Sequence, residues 1–347
     1  MKYAYVAEGF LSHNTATSRL SSNNPNAQNF PRKTEDPREF HYNYGPKKLF
    51  TSRFGDEGVI IQFDYSQLEL RLAAVLSGDH GLKSAYQEGK DLHIFVASRV
   101  YKIPEDEVTK DQRSYAKTIG FGLIYGKGAL SLGEELGLTR DEAEEFINSY
   151  FKEFPGIKIW MDSMRKKVKQ DKYVETLSGF RRSLKGIDSN QRGIVSDSER
   201  QAINSPVQGS GATMTLQSVI DIDKMITEYN LKSKMIMTVH DSIVFDTHID
   251  EVYQISAIAK TIMENLPFDW ITVPIVADLE IGRDYQDMVE VEFDELGAVI
   301  ESGLFNYIDT KLIEGKIEHY TRVDLAVPED VKKEAERLNV YPDEEPK

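Results

Sequence analysis

The chain has 347 residues, with 42 Lys and Arg against 57 Asp and Glu, a formal net charge of −15 and no cysteine. That length buries a substantial core in one to three domains, and the missing cysteines exclude both a disulfide framework and a thiolate metal site. No apolar run is long enough to span a bilayer, and Tyr3 to Ala7 is too short for a signal peptide and stops at Glu8. A cytoplasmic protein without a membrane partner is expected. Excess acid argues against a nucleic-acid partner, but it is unevenly spread. Residues 286–347 hold 17 acidic and 7 basic residues, a net of −10, which leaves −5 for the first 285. Within those, Met164 to Arg200 is rich in Lys and Arg, either a local basic groove or a solvated face.

Taken in chain order, residues 15–55 are rich in Asn, Ser, Pro and Arg and predict irregular structure with short strands. Gly58 to Phe63 is short, apolar and β-branched, a buried strand. Helices are predicted over 68–76, 91–100 and 110–125. Another is expected over 139–151, where Thr139 is a natural cap and Asp141 and Glu142 give an acidic first turn. Phe154-Pro155-Gly156 breaks the pattern, and 157–170 resumes it. Residues 173–182 suggest a hairpin around Ser178-Gly179. Residues 197–204 are helical, Ser205-Pro206 interrupts, and a long helix follows over 209–229. Residues 235–247 form the clearest hairpin, with His240-Asp241 at or near its turn. A helix over 249–266 and a strand over 273–281 follow, and 327–338 has the pattern of a capped helix. Strand, helical block, then strands again is an α+β plan with a helical insertion.

Two aspartates stand at the ends of apolar runs. Asp64 closes Val59 to Phe63, and Asp241 follows Met235 to His240. One strand-end Asp is ordinarily a turn or cap residue. Two in matching contexts, with a basic helix between them, supply what two-metal phosphoryl transfer requires. Arg113, Lys117, Phe121 and Tyr125 recur every fourth residue, a slowly winding stripe on one helix. Two cations followed by two aromatics suit a nucleotide better than a core.

Asp64-Tyr65-Ser66-Gln67-Leu68-Glu69-Leu70-Arg71 resembles motif A of the family A DNA polymerases. Arg113, Lys117, Phe121, Tyr125 and Gly126 resemble motif B, and Val239-His240-Asp241 resembles motif C. Thr15 to Ser22 with Asn24 to Asn29 is similar to the family's template-primer contact segment, and Glu199 to Gly209 to its late fingers-to-palm segment. The five stretches occur in the family's order over residues 15–285. The resemblance implies a right-hand fold, with an antiparallel palm sheet carrying Asp64 and Asp241 and helical fingers. The implied palm is 15–76 and 205–285, the implied fingers are 77–204, and 286–347 is an acidic extension. It implies two Mg²⁺ ions held by Asp64, Asp241, the Tyr65 carbonyl and the triphosphate. Arg113, Lys117 and His93 become phosphate ligands, although His93 also reads as an ordinary helix histidine. Gln67 and Phe121 lie near the nucleotide, and Phe rather than Tyr at 121 implies poor use of dideoxynucleotides. Glu69 with Tyr125 crowds a ribose 2′-hydroxyl. Arg71 is either a functional residue of motif A or a structural partner of a carboxylate. Arg19, Gln28, Asn29, Arg200, Asn204, Gln208 and His240 line the duplex, reading acceptors shared by all base pairs in the minor groove. Arg181 and Arg182 are weaker candidates for phosphate contact and read equally well as solvated surface. The implied substrates are dNTPs and primer-template DNA. A non-catalytic DNA-binding or assembly subunit is the alternative.

The chain departs from this pattern in several places. Ser242 stands where many relatives have a glutamate, Ser18 replaces a common glycine, and Gly120 replaces a frequent asparagine. The acidic tail reads as a solvated appendage or a docking site for a partner. Tyr3 to Asn14 resembles the C-terminal end of an intein, with Thr15 as first extein residue. There a terminal Asn14 would cyclise, His13 would assist, and Thr15 would serve as nucleophile. The rival reading is ordinary polymerase sequence. Only fourteen residues precede Thr15, so the resemblance implies a split polymerase. A second polypeptide would supply the thumb and any exonuclease domain.

Overall fold

The computed structural model describes residues 4–7, 10–14, 20–22, 28, 45–322 and 327–340. Near the N-terminus, β1 (Ala4–Ala7), β2 (Phe10–Asn14) and β3 (Leu20–Ser22) form a small antiparallel sheet. β4 (Gly58–Tyr65) leads into a helical block. The block comprises α1 (Leu68–Ser77), α2 (His80–Gln87), α3 (Leu92–Tyr101), α4 (Lys110–Ile124), α5 (Ala129–Leu136), α6 (Arg140–Glu153) and α7 (Pro155–Asp171). A two-stranded ribbon follows, β5 (Tyr173–Glu175) and β6 (Arg181–Ser183), then the long α8 (Arg192–Glu228). β7 (Lys234–Val239), β8 (Ser242–His248), α9 (Val252–Glu264), β9 (Ala277–Gly282) and β10 (Met288–Glu290) complete the sheet elements. The chain closes with α10 (Leu296–Arg322) and α11 (Glu329–Arg337).

The main sheet has the order β10-β9-β4-β8-β7 and is antiparallel throughout. β4 sits at its centre, and its alternating side chains define two faces. Val59, Ile61, Phe63 and Tyr65 point into the main core with Ile243 and Phe245 of β8 and Leu279 and Ile281 of β9. Ile60, Gln62 and Asp64 point the other way. That face runs from an apolar patch of Ile60, Val244 and Tyr285 to a polar end, where Gln62 donates to Glu280 at 2.9 Å. The α+β expectation agrees with this arrangement, and the sheet with its helical insertion matches the palm-and-fingers plan.

Local chemistry explains several helix boundaries. Thr109 and Gln112 form a reciprocal capping box at α4, and Thr139 and Glu142 form another at α6. Buried Phe154 separates α6 from α7, and Pro155 takes the first position of α7, where its missing N–H costs nothing.

Three features differ from the sequence reading. First, α8 runs unbroken through Pro206, where an interruption is expected. Ser205 Oγ donates to the Gln201 carbonyl and Ser210 Oγ to that of Pro206. Pro206, Val207, Gly209 and Gly211 are all buried. Packing along this stretch outweighs a proline penalty of about 3 kcal/mol. Second, α2 and α5 are additional short helices in the insertion. Third, the acidic tail is no solvated appendage over its first part. Leu296, Val299, Leu304 and Ile308 of α10 belong to the main core, and Arg283 pairs with Asp309 while lying over the Phe305 ring. α10 is interrupted at Gly303, whose backbone (φ 107°, ψ 88°) only glycine adopts readily. Beyond it, Ile313, Ile317 and Tyr320 form a separate cluster with Val331 and Ala335 of α11.

Candidate active site

Asp64 and Asp241 meet through strand register. Asp64 is paired with Ser242 of β8, the residue immediately after Asp241, and on its other side with Asp278 of β9. Neighbouring strands lie about 5 Å apart, so the two aspartates are side by side although they stand 177 positions apart in sequence. β7 and β8 are joined by a two-residue turn, His240-Asp241, with His240 in the left-handed region at φ 58°. Such a φ is unusual for a residue with a side chain, and it holds exposed His240 at the hairpin tip. Both aspartates are half-buried. Ser242 is buried and donates to the Val239 carbonyl at 2.9 Å, so its hydroxyl closes the turn.

Among the described residues no group of three or more His, Cys, Asp or Glu forms a metal cage. The donors present are two adjacent hard carboxylates. These fit Mg²⁺, which takes few protein ligands and completes its shell with water and substrate phosphate.

Tyr65 turns its side chain away from this end. It is buried, its hydroxyl pairs with Ser218 at 2.8 Å, and burial pushes its pKa well above the ordinary tyrosine value. Gln67 sits at φ 52° between β4 and α1. Arg71 is buried as a structural staple, donating to the carbonyls of Ser66 at 2.8 Å and Pro274 at 2.6 Å and stacking on Tyr86. Of the two readings left open for Arg71, the structural one matches its position, with backbone carbonyls in place of a carboxylate.

Arg113, Lys117 and Phe121 share one side of α4 at four-residue spacing. Ala116, Ile119, Gly120 and Leu123 are buried, whereas Arg113 and Lys117 are exposed and Phe121 is half-buried. His93 of α3 joins them, with its ring centroid 6.1 Å from that of Phe121. Burial lowers the His93 pKa to about 4; nearby Asp91 opposes this, and Arg113 and Lys117 add to it. His93 is therefore neutral at pH 7, a hydrogen-bonding group beside two cations. At the other end of the stripe the Tyr125 hydroxyl donates to Glu69, which is buried at the start of α1. The pair joins α4 to the strand-end aspartates through β4 and α1.

Of the duplex candidates, Gln28 donates to the Thr238 carbonyl at 3.0 Å, beside the motif C turn. Arg200, Asn204 and Gln208 share one face of α8 at four-residue spacing. Asn204 Oδ1 is buried without a hydrogen-bond partner among the described residues. The Arg200 side chain covers Gly126, whose φ of 71° and close approach both require glycine: a Cβ there would lie 2.7 Å from Arg200 Cγ. Arg182 is tied to Ser205 and Gln201, and Arg181 to Glu175. Arg19, Asn29 and Thr15 lie outside the described residues, as do the side chains of His13 and Asn14. One contact escaped the sequence reading: the carboxylate of Asp91 holds Arg113. Its only sequence signal is an Asp immediately before a helix.

The family model for DNA polymerase family A matches residues 3–287. The chain belongs to DNA polymerase family A. It is 42% identical over 322 residues to the DNA polymerase of Bacillus phage SP01, covering 90% of this chain and 35% of the relative. It is 36% identical over 273 residues to DNA polymerase I of Chloroflexus aurantiacus, covering 79% of this chain and 28% of the relative. Among solved structures, the POL domain of Pol1 from M. smegmatis in complex with DNA primer-template and dNTP superposes with a TM-score of 0.72 at 34% identity. That match covers 80% of this chain and 48% of the other. This family A chain thus spans about a third of the length of the curated relatives it matches. A match over 90% of 347 residues must extend past residue 287, so part of the tail is shared with the phage enzyme. Among the described residues no helix is long and apolar enough to cross a membrane.

Proposed function

We propose that this chain carries the nucleotidyl-transfer site of a template-directed DNA polymerase, with its palm in residues 15–76 and 205–285 and its fingers in 77–204. The observation that carries the reading is the strand register that makes Asp64 and Asp241 neighbours on the palm sheet. Membership of family A and the likeness to a structure holding DNA primer-template and dNTP support it.

In this reading a dNTP enters between α4 and the sheet. Lys117 and Arg113 take the triphosphate charge, with neutral His93 donating a hydrogen bond. Phe121 lies against the sugar. Glu69 and Tyr125, already hydrogen-bonded to each other, wall off the space a ribose 2′-hydroxyl would need. Arg200, Asn204, Gln208, Gln28 and His240 bear on the duplex. The primer 3′-oxygen bonds to the α-phosphorus and pyrophosphate leaves. Asp64, Asp241 and the Tyr65 carbonyl would hold two Mg²⁺ ions, which supply Lewis-acid stabilisation of the phosphate charge and lower the pKa of the attacking hydroxyl. Closure of α4 onto a correct pair would complete the site, coupling selection to assembly. A thumb lying outside these 347 residues, on a second polypeptide or on further length of the same one, belongs to this proposal.

Residues 3–14 are read here as polymerase sequence rather than an intein end. The family match runs through them from residue 3, and β2 pairs with β1 before the Asn14-Thr15 junction and with β3 after it. Prolonged incubation with a thumb-bearing partner should leave residues 1–14 attached.

Primer extension with Mg²⁺ and dNTPs tests the function, with Asp241→Ala as control. Template-directed extension that the substitution abolishes is expected. Extension persisting in the Asp241→Ala protein would remove the assigned site.

A further inference from the structure

Asp91 precedes α3, and its two carboxylate oxygens do different work. Oδ1 accepts from the backbone amides of His93 at 2.8 Å and Ile94 at 2.9 Å, capping the helix. Oδ2 accepts from Nε of Arg113 at 3.0 Å and Nη2 at 2.8 Å, although the partners are 22 positions apart in sequence. This engages one edge of the guanidinium and leaves Nη1 without a partner among the described residues. An arginine held along one edge presents its remaining donors in a fixed plane, which suits a phosphate. Partial burial pushes the Asp91 carboxyl up, but the Ile94 amide, Arg113 and the His93 amide outweigh it and hold it below the ordinary carboxylate range. The group is therefore an anion throughout the neutral range.

The geometry carries one step further. His93 stands two residues beyond Asp91 on α3, and Lys117 lies one turn beyond Arg113 on α4. We propose that Asp91 is a positioning residue for triphosphate binding: one carboxylate sets the N-terminus of α3, which carries His93, in register with Arg113 of α4. This rests on the proposed nucleotide site and names a residue through which that site is preorganised. The opposite role is physically distinct. If Asp91 merely competed with phosphate for Arg113, removing its charge would tighten binding.

Asp91→Asn separates the two, because asparagine caps a helix as well as aspartate while losing the ion pair. The chain is titrated with dATP and, separately, with inorganic tripolyphosphate, both with Mg²⁺. Thermal unfolding is followed alongside. Asp91→Asn is expected to weaken binding of both probes roughly fivefold, the scale of one partly exposed ion pair, with an unchanged melting temperature. In an Arg113→Ala background the same substitution should have no further effect, because Asp91 acts through Arg113. Unchanged or tighter binding by Asp91→Asn overturns the proposal, and so do losses that simply add in the double variant. Should Asp91→Asn unfold, Arg113→Lys keeps the charge without the fork and should show a comparable loss, whereas wild-type affinity in it overturns the proposal. Wild-type chain that binds tripolyphosphate as tightly as dATP, with the coupling intact, would sink the polymerase reading and leave the positioning role standing. Binding of neither probe overturns both.

Discussion

His93 is 4% exposed and faces Asp91, Arg113 and Lys117. Its pKa of about 4 in the folded chain lies below the 6.5 expected when unfolded. Between those values the unfolded chain takes up a proton that the folded chain refuses, so stability falls as pH drops from about 6.5 towards 4 and then levels off. Urea unfolding at pH 7.5 and 5.0 should show this loss, and His93→Leu should shrink it. An equal loss in both proteins would mean that the histidine is not the group responsible. The same scale shows where sequence reading works. The run of two cations and then two aromatics along α4 was legible because four-residue spacing is a local property. The Asp91–Arg113 pair was not, because nothing local links positions 22 apart on two helices.

The elements differ in what sets them. Capping residues and turn chemistry fix α4, α6 and the β7–β8 hairpin, and all three were readable. α8 passes through Pro206 because packing dominates a local penalty. α10 is the opposite case to a solvated tail: its charge is obvious in sequence, but its buried stripe is spaced irregularly across the break at Gly303. Leu296 is fully buried in the main core. Leu296→Ala should therefore destabilise the chain by about 2–5 kcal/mol, the range for a buried leucine, measured by denaturant unfolding. A loss below about 0.5 kcal/mol, typical of surface sites, would show that α10 is not part of the main core.

Across the whole molecule, net acidity coexists with a proposed DNA site because the charges are locally balanced. Arg165, Lys167, Lys169, Lys172, Arg181 and Arg200 of the basic run each pair with a nearby carboxylate. Exposed pairs of this kind are worth about 0–1 kcal/mol, so DNA phosphates can replace the carboxylates at little cost. Affinity for primer-template should then fall as salt rises, with a log–log slope of about −2 or steeper, each neutralised phosphate contributing about −0.9. A flat salt dependence, measured by fluorescence anisotropy, would argue against phosphate contacts by this chain.

By itself the sequence determined the α+β plan, the two strand-end aspartates, the cation–aromatic stripe and the motif order, because each depends on local periodicity, turn chemistry or short motifs. Only the tertiary structure decided which strand lies beside which, and therefore that Asp64 and Asp241 are neighbours. It also decided that Ser242 closes a turn, that Arg71 is a staple, that α10 enters the core, and that one carboxylate couples α3 to α4. Those outcomes depend on contacts between distant segments, where burial and register override what any short stretch of chain prefers.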